Sequence, residues 1–259
     1  MDLGISGRRA IVCASSKGLG KASAAALVRE GVDVWISGRG EETLEAAKAE
    51  LSALGGGDVH SVVADVTTEE GRDALLAACP NPDIVVNNAG GPPPGDFRDW
   101  DQKAWFDAIN SNMFSAIDMI RRTIDGMIER KFGRIVNVTS VAVKLPQAEL
   151  GLSNGARAGL TGFVAGIARE PARHNVTINN LMPGFIDTDR MRAVVSAKAN
   201  AGGVELDAFS ADFFNKLPAG RPGDPDEFGA TCAFLCSSHA GYITAQNLLV
   251  DGGLYPGTF

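Results

Sequence analysis

Three observations predict the fold class of this chain, an α/β domain built on a doubly wound parallel sheet. Short runs rich in Val and Ile recur along it and read as nearly continuous apolar stretches rather than alternating ones, the pattern of strands buried on both faces. Helical segments separate these runs, so successive strands run parallel through right-handed crossovers. A glycine-rich turn joins the first strand to the first helix, in the strand–turn–helix order of such sheets.

The elements follow in order. "RRAIVCAS" is a short buried strand, and an alanine-rich helix runs from Gly20 to Glu30. "VDVWISG" is the second strand, Glu41 to Leu54 the second helix and "VHSVVADV" the third strand. "DIVVNNAG", "GRIVNVTS", "VTINNLMPG" and "NLLVDGG" continue the series, with a helix from Ser153 to about Glu170 ahead of the third of these. The rhythm breaks between residues 189 and 225, first Ala-rich, then Phe-rich, ending in "LPAGRPGDPDE". That segment is long for a plain loop and is read as a mobile flap on one domain spanning 1–259. Phe209, Phe213 and Phe214 within it either cover an apolar substrate or form the flap's own packing face.

Bulk properties exclude several classes. A chain of 259 residues can bury a full core. Hydrophobic residues at 45% and charged residues at 21% are ordinary for a soluble globular protein. A net charge of −7 disfavours non-specific binding to nucleic acid or to an anionic membrane. No apolar run approaches the ~20 residues of a membrane span, and the N-terminus runs into a strand rather than a secretory core. Cys13, Cys79, Cys232 and Cys236 form no C-x-x-C pair, and His60, His174 and His239 are scattered. The reading is a reduced, cytoplasmic protein with no metal site.

The turn "VCASSKGLG" lets backbone approach a pyrophosphate at the N-terminus of the first helix. It resembles the T-G-x-x-x-G-x-G turn of the short-chain dehydrogenase/reductase family. Gly18 and Gly20 match the last two glycines, whereas Cys13 and Ala14 replace Thr-Gly. Further matches are "ADV" at 64–66, "NNAG" at 87–90, Asn112, Ser140, Pro183 and Gly184 followed by Thr188, and "VDGG" at 250–253. The resemblance spans essentially the whole chain. It implies a single-domain extended Rossmann fold of about seven parallel strands, with a nicotinamide cofactor across their carboxyl ends.

In such sites an acid after the second strand selects NAD by bonding the ribose 2′-hydroxyl. Here Arg39 stands at that place and Lys17 lies in the turn, two cations that suit the 2′-phosphate of NADP. By the same resemblance the turn residues Ala14, Ser15, Ser16, Lys17, Gly18, Leu19 and Gly20 hold the cofactor. Asp65 and Val66 meet the adenine, Asn88 and Gly90 its ribose, and Ile186 and Thr188 the carboxamide and pyrophosphate. Asn87 is read as a strand-bracing residue.

The family's acid/base is a Tyr-x-x-x-Lys pair on one helix, with a serine upstream on the substrate oxygen and an asparagine holding a water. Counted from Ser140, the pair falls on Ser153 and Arg157, and neither Tyr242 nor Tyr255 lies in register to replace the tyrosine. A serine hydroxyl is a far weaker acid than a phenol, and arginine holds its proton too tightly to shuttle it. Catalytic candidates are therefore Asn112, Ser140, Ser153 and Arg157, with Arg157 also on the cofactor. Three functions fit in different degrees. One is an NADP-dependent reductase or dehydrogenase acting on a small carbonyl or alcohol, its proton coming through water or from Lys144. The others are an NADP-binding pseudoenzyme or scaffold, and a fold turned to non-redox chemistry. Small residues Gly155, Gly159, Gly162, Ala165 and Gly166 on one helix suggest close packing with a twin, hence a homodimer or homotetramer.

Overall fold

The computed structural model describes residues 1–258. Seven strands form one parallel sheet: β1 (Arg9–Val12), β2 (Asp33–Gly38), β3 (Val59–Val63), β4 (Ile84–Asn87), β5 (Gly133–Val138), β6 (Val176–Pro183) and β7 (Asn247–Val250). Their order is β3-β2-β1-β4-β5-β6-β7, so the winding reverses between β1 and β4. Ligands of open α/β sheets bind outside the carboxyl ends of the strands at such a reversal. The α/β class, the doubly wound sheet and its seven parallel strands agree with the sequence reading.

Alternate residues of each strand enter opposite cores. Ala10, Val12, Ile84, Val86 and Val136 pack with Leu27, Leu44 and Phe228. These come from helices α1 (Gly18–Arg29), α2 (Glu41–Ser52) and α10 (Pro225–Cys236). Ile11, Val85 and Ile135 pack on the other face with Leu75, Met119 and Leu160, from α3 (Glu69–Ala78), α5 (Ser115–Glu129) and α6 (Gly151–Ile167). Each fully buried aliphatic side chain contributes about 1.5–3 kcal/mol, so a strand feeding both faces is held by both helical layers. That is why the strands read as continuous apolar runs.

Four asparagines interrupt those runs in register. Asn87 donates to Asn137 (2.9 Å), Asn137 to Asn180 (3.0 Å) and Asn180 to Asn247 (2.8 Å), a ladder across β4, β5, β6 and β7. Neighbouring residues Asn87, Asn137, Asn180 and Asn247 are paired in the sheet. Asn87 does brace the strands, as expected.

Several boundaries differ from the sequence reading. Helix α1 starts at Gly18, because the glycine at φ +57° forms the turn and the first helical position together. Helix α6 starts at Gly151 and ends at Ile167, and a separate turn of helix, α7 (Arg169–Ala172), follows it. Segment 189–225 is largely helical, with α8 (Asp189–Gly202) and α9 (Leu206–Asn215). Gly203 in the left-handed region ends α8. Between α4 (Gln102–Ile109) and α5 the chain makes a π-helical turn, Asn110–Phe114.

Candidate active site

The glycine-rich turn after β1 is held from within. Ala14 sits at φ +46°, and its amide donates to Ser37 Oγ at 3.1 Å. Ser15 Oγ donates to Val12 O (2.6 Å) and accepts from Ser37 N (3.0 Å). Asn88 Nδ2 donates to Ala14 O at 3.1 Å. A Cβ at Gly20 would lie 2.5 Å from Ala14 O and 2.8 Å from Asn88 Nδ2, so only glycine lets α1 start this close. Ser16 lies against Gly38, the end of β2. Leu19 packs partly buried on the first core.

Lys17 is the N-cap of α1 but makes no side-chain cap, so no side chain of the cap answers the first-turn amides. A Cβ at Gly18 would meet only the Thr188 side chain, its methyl 3.7 Å away. Uncapped N–H groups, a positive helix dipole end and a glycine surface are the donor set that a pyrophosphate requires. The turn therefore fits a dinucleotide. Thr188 uses its own Oγ1 to cap α8 through Met191 N (3.3 Å). Pro183 ends β6, and Gly184 packs on Asp251 so closely that a Cβ would sit 2.8 Å from its Cα. Ile186 is buried and bridges to Gly223.

At the far end of this cleft Arg39 is 83% exposed and lies 3.9 Å from Asp65 Oδ2. Asp65 Oδ1 accepts from Thr67 N (2.9 Å) and Thr67 Oγ1 (2.7 Å). Val66 is buried, its carbonyl bound by Arg72 Nη1 at 3.0 Å. Lys17 does not share a partner with Arg39 in this arrangement. Its charge, after that of Arg192, helps to hold the Asp189 carboxyl below its usual range.

The chemical residues gather beside β5. Ser140 follows the strand and its Oγ accepts from Ala142 N (3.1 Å), capping a short 3-10 turn, Val141–Val143. Lys144 ends that turn with its ammonium 5.4 Å from the Tyr255 ring centroid. On α6, Ser153 and Arg157 are both buried. Spacing of four residues puts them on one helix face, and Arg157 Nε donates to Ser153 Oγ at 3.2 Å while Nη1 donates to Val138 O at 2.7 Å. Burial, reinforced by the charge of Arg190, pushes Arg157 down to about 10. That is still far above neutral pH, so the guanidinium stays charged.

Asn112 lies in the π-helical turn, its Nδ2 donating to Gly90 O (3.2 Å) and Ser111 Oγ (2.7 Å). Asn110, by contrast, ties its Nδ2 to Thr67 O (2.9 Å). The Oδ1 atoms of Asn112 and Asn87 are buried without partners. Both residues, with Asn88 and Arg157, line one small cavity, about the size of a water. An unpartnered Oδ1 is what a relay water would donate to, the role that the resemblance implies for Asn112.

Two contacts escaped the sequence reading, that of Arg190 and that of Phe185 with the Phe209, Phe213 and Phe214 cluster named there. Arg190 reaches from the start of α8 to the carbonyls of Gly91 (2.9 Å) and Pro92 (3.1 Å), linking the expected flap to the loop after β4. Phe213 packs edge-on against Phe185 (4.9 Å), which follows β6, and lies in line with Phe209 and Phe214. Neither contact leaves a periodic or motif signature in the chain.

A family model described as enoyl-(acyl carrier protein) reductase matches residues 13–255. The chain belongs to the short-chain dehydrogenase/reductase family. Among relatives of the family, 3-oxoacyl-(acyl-carrier-protein) reductase of Vibrio harveyi is 34% identical over 257 residues, covering 98% of this chain and 99% of that protein. L-sorbose reductase from Gluconobacter frateurii, solved with NADPH and L-sorbose, superposes with a TM-score of 0.93 at 28% identity over 99% of this chain and all of that one. A point variant of actinorhodin polyketide ketoreductase, solved with NADPH, gives 0.89 at 28% identity, covering 96% of this chain and 98% of that one. No described helix is long and apolar enough to cross a membrane.

Proposed function

We propose that this family member is an NADP(H)-dependent oxidoreductase interconverting a small carbonyl and an alcohol, with Ser153 and Arg157 in place of the family's Tyr-Lys pair. The observation that carries the reading is the hydrogen-bonded Ser153–Arg157 pair buried against the end of β5, the strand that Ser140 follows, at the same strand ends as the uncapped glycine turn. NADPH in the similar reductases supports the cofactor, and Arg39 supports the phosphorylated form. The residues that would hold it are the turn Ala14–Gly20, Arg39, Asp65, Val66, Asn88, Gly90, Arg157 and the Pro183–Thr188 stretch. When bound, the nicotinamide supplies or accepts a hydride.

The chain's own residues do the rest. Ser153 Oγ already accepts from Arg157, so its proton points away from the guanidinium and is available to a substrate oxygen. Ser140 Oγ likewise accepts from Ala142 N and keeps its O–H to donate. The buried charge of Arg157 favours the negative charge developing on that oxygen. Neither serine is acidic enough to give up a proton outright, so protonation runs through water or Lys144. Losing the phenol removes a general-acid contribution of about 10²–10⁴-fold. Simple ketones should therefore be slow and electron-poor carbonyls faster.

A second reading, an NADP-binding pseudoenzyme, is favoured by the same missing phenol. An NADPH-consumption assay over a carbonyl panel, on the parent and on Ser153→Tyr/Arg157→Lys, separates them. The double variant should be faster than a slow but active parent. A parent inert on every carbonyl beside an active double variant would leave only the pseudoenzyme. The expected assembly is a cytoplasmic homodimer or homotetramer.

A further inference from the structure

Two arginines are buried with no carboxylate within 4.0 Å, and they differ in one respect. Arg134 has every nitrogen of its fork bonded. Nε donates to Ser237 O (2.9 Å), Nη1 to Gly133 O and Asn175 O (both 2.8 Å), and Nη2 to Asn175 Oδ1 (3.0 Å). It is a structural clamp at the amino end of β5. Arg157 at the opposite end uses only Nε and Nη1. Its Nη2 donates to no acceptor among the described residues, beside a serine side chain that ends at Oγ.

With no acceptor among the described residues and its surface not sealed, Arg157 Nη2 is open to an incoming ligand, and an ionised acceptor makes the stronger bond to a charged donor. A ribose hydroxyl could take one Nη2 hydrogen but brings no charge. The field is made more positive by Arg190, which is held only by the backbone carbonyls of Gly91 and Pro92 and has no acid within 4.0 Å either. Mutual repulsion between the two guanidiniums lowers the proton affinity of Arg157 further. In a chain of net charge −7, a buried arginine without an acid, with the exposed Arg190 adding positive charge nearby, is a local departure that a ligand anion would balance.

We propose that the substrate is a carbonyl compound carrying a carboxylate on the carbon next to its carbonyl, a 2-oxo acid in the reducing direction, and that Arg157 binds this carboxylate. The inference rests on the oxidoreductase reading above. It also bears on the missing phenol. A carboxylate one bond from the carbonyl places the reacting oxygen beside the same guanidinium. The alkoxide that develops then lies beside a positive charge already positioned by the carboxylate, which lessens the need for a strong protein acid. The balance is simple: the carbonyl carbon gains a hydride from NADPH, its oxygen gains one proton from water, and the carboxylate remains ionised.

The test pairs near-isosteric probes with the NADPH-loaded protein, pyruvate against diacetyl and phenylpyruvate against its methyl ester. The acid of each pair should have kcat/KM at least tenfold higher, and Arg157→Met should erase that preference while Arg157→Lys keeps part of it. Binding of oxamate, which is not reduced, is measured separately by titration calorimetry. It should weaken about threefold in Arg190→Gln, which leaves the Arg157 bonds intact, and should weaken with added salt. Equal turnover of acid and neutral probes, with no oxamate binding, overturns this inference and leaves the reductase reading standing. Arg157-dependent oxamate binding with no turnover of any carbonyl supports the anion site and overturns the reductase reading. Neither turnover nor oxamate binding overturns both.

Discussion

Ala14 is the most constrained single residue of the cofactor turn. It is held at φ +46°, where the family's pattern has glycine and where an L-residue pays about 1–2 kcal/mol. Glycine's greater freedom in the unfolded chain costs about 0.5–1 kcal/mol in return. Ala14→Gly should therefore raise stability by up to about 1 kcal/mol, read as a higher midpoint in thermal denaturation. A lower midpoint would mean that the alanine methyl makes a contact outweighing the strain. Arg39 belongs to the same scale. Its guanidinium is exposed and only loosely near Asp65, so it is available to a 2′-phosphate. Arg39→Asp should lose roughly tenfold in NADPH affinity, in keeping with a lost hydrogen bond to a charged group, while NADH affinity holds or improves. Titration calorimetry showing equal affinity of the parent for both cofactors would contradict the assignment.

Elements explain what the chain conceals as well as what it discloses. The strands are legible because burial on both faces makes them apolar throughout, and the Ser153–Arg157 contact is legible because helical spacing alone brings residues four apart together. The asparagine ladder is not, since "NN", "VN" and "NN" fragments far apart in sequence become neighbours only through strand register. The π-helical turn holding Asn112 and the helices within 189–225 are equally hidden. One extra residue in a helix leaves the periodicity nearly unchanged, and the Gly203 break splits what reads as a single irregular insert. The ladder also makes a prediction. Asn137→Leu leaves the Asn87 amide and the Asn180 carbonyl buried without partners, each worth about 1–3 kcal/mol. Urea unfolding should show a loss of about 2–6 kcal/mol. The cavity shared with Asn112 and Arg157 should loosen with it, because Asn87 links the two.

At the scale of the whole molecule, the small-residue face of α6 divides in two. Cβ atoms at Gly155 and Gly159 would meet Trp105 (3.0 Å) and Met113 (2.8 Å) of the same chain, whereas at Gly162 and Gly166 they would meet nothing within 4 Å. The first pair serves internal packing, and only the second is open to a twin. Gly162→Leu is consequently a clean probe. In an isolated subunit the side chain has room, so it should leave the fold intact. In a subunit paired through α6 it overpacks the interface and should shift the sedimentation profile toward monomer. A parent already monomeric at micromolar concentration would remove the basis for the homo-oligomer.

On the proposed reading, a site with Ser153 and Arg157 in place of a tyrosine and a lysine still reduces carbonyls. NADPH consumption by the parent protein, followed across ketones of increasing electron demand, tests it most directly. Turnover of simple ketones should be slow, and the rate should climb steeply with electron withdrawal. An NADPH-bound parent that consumes no cofactor with any carbonyl in the series would contradict it.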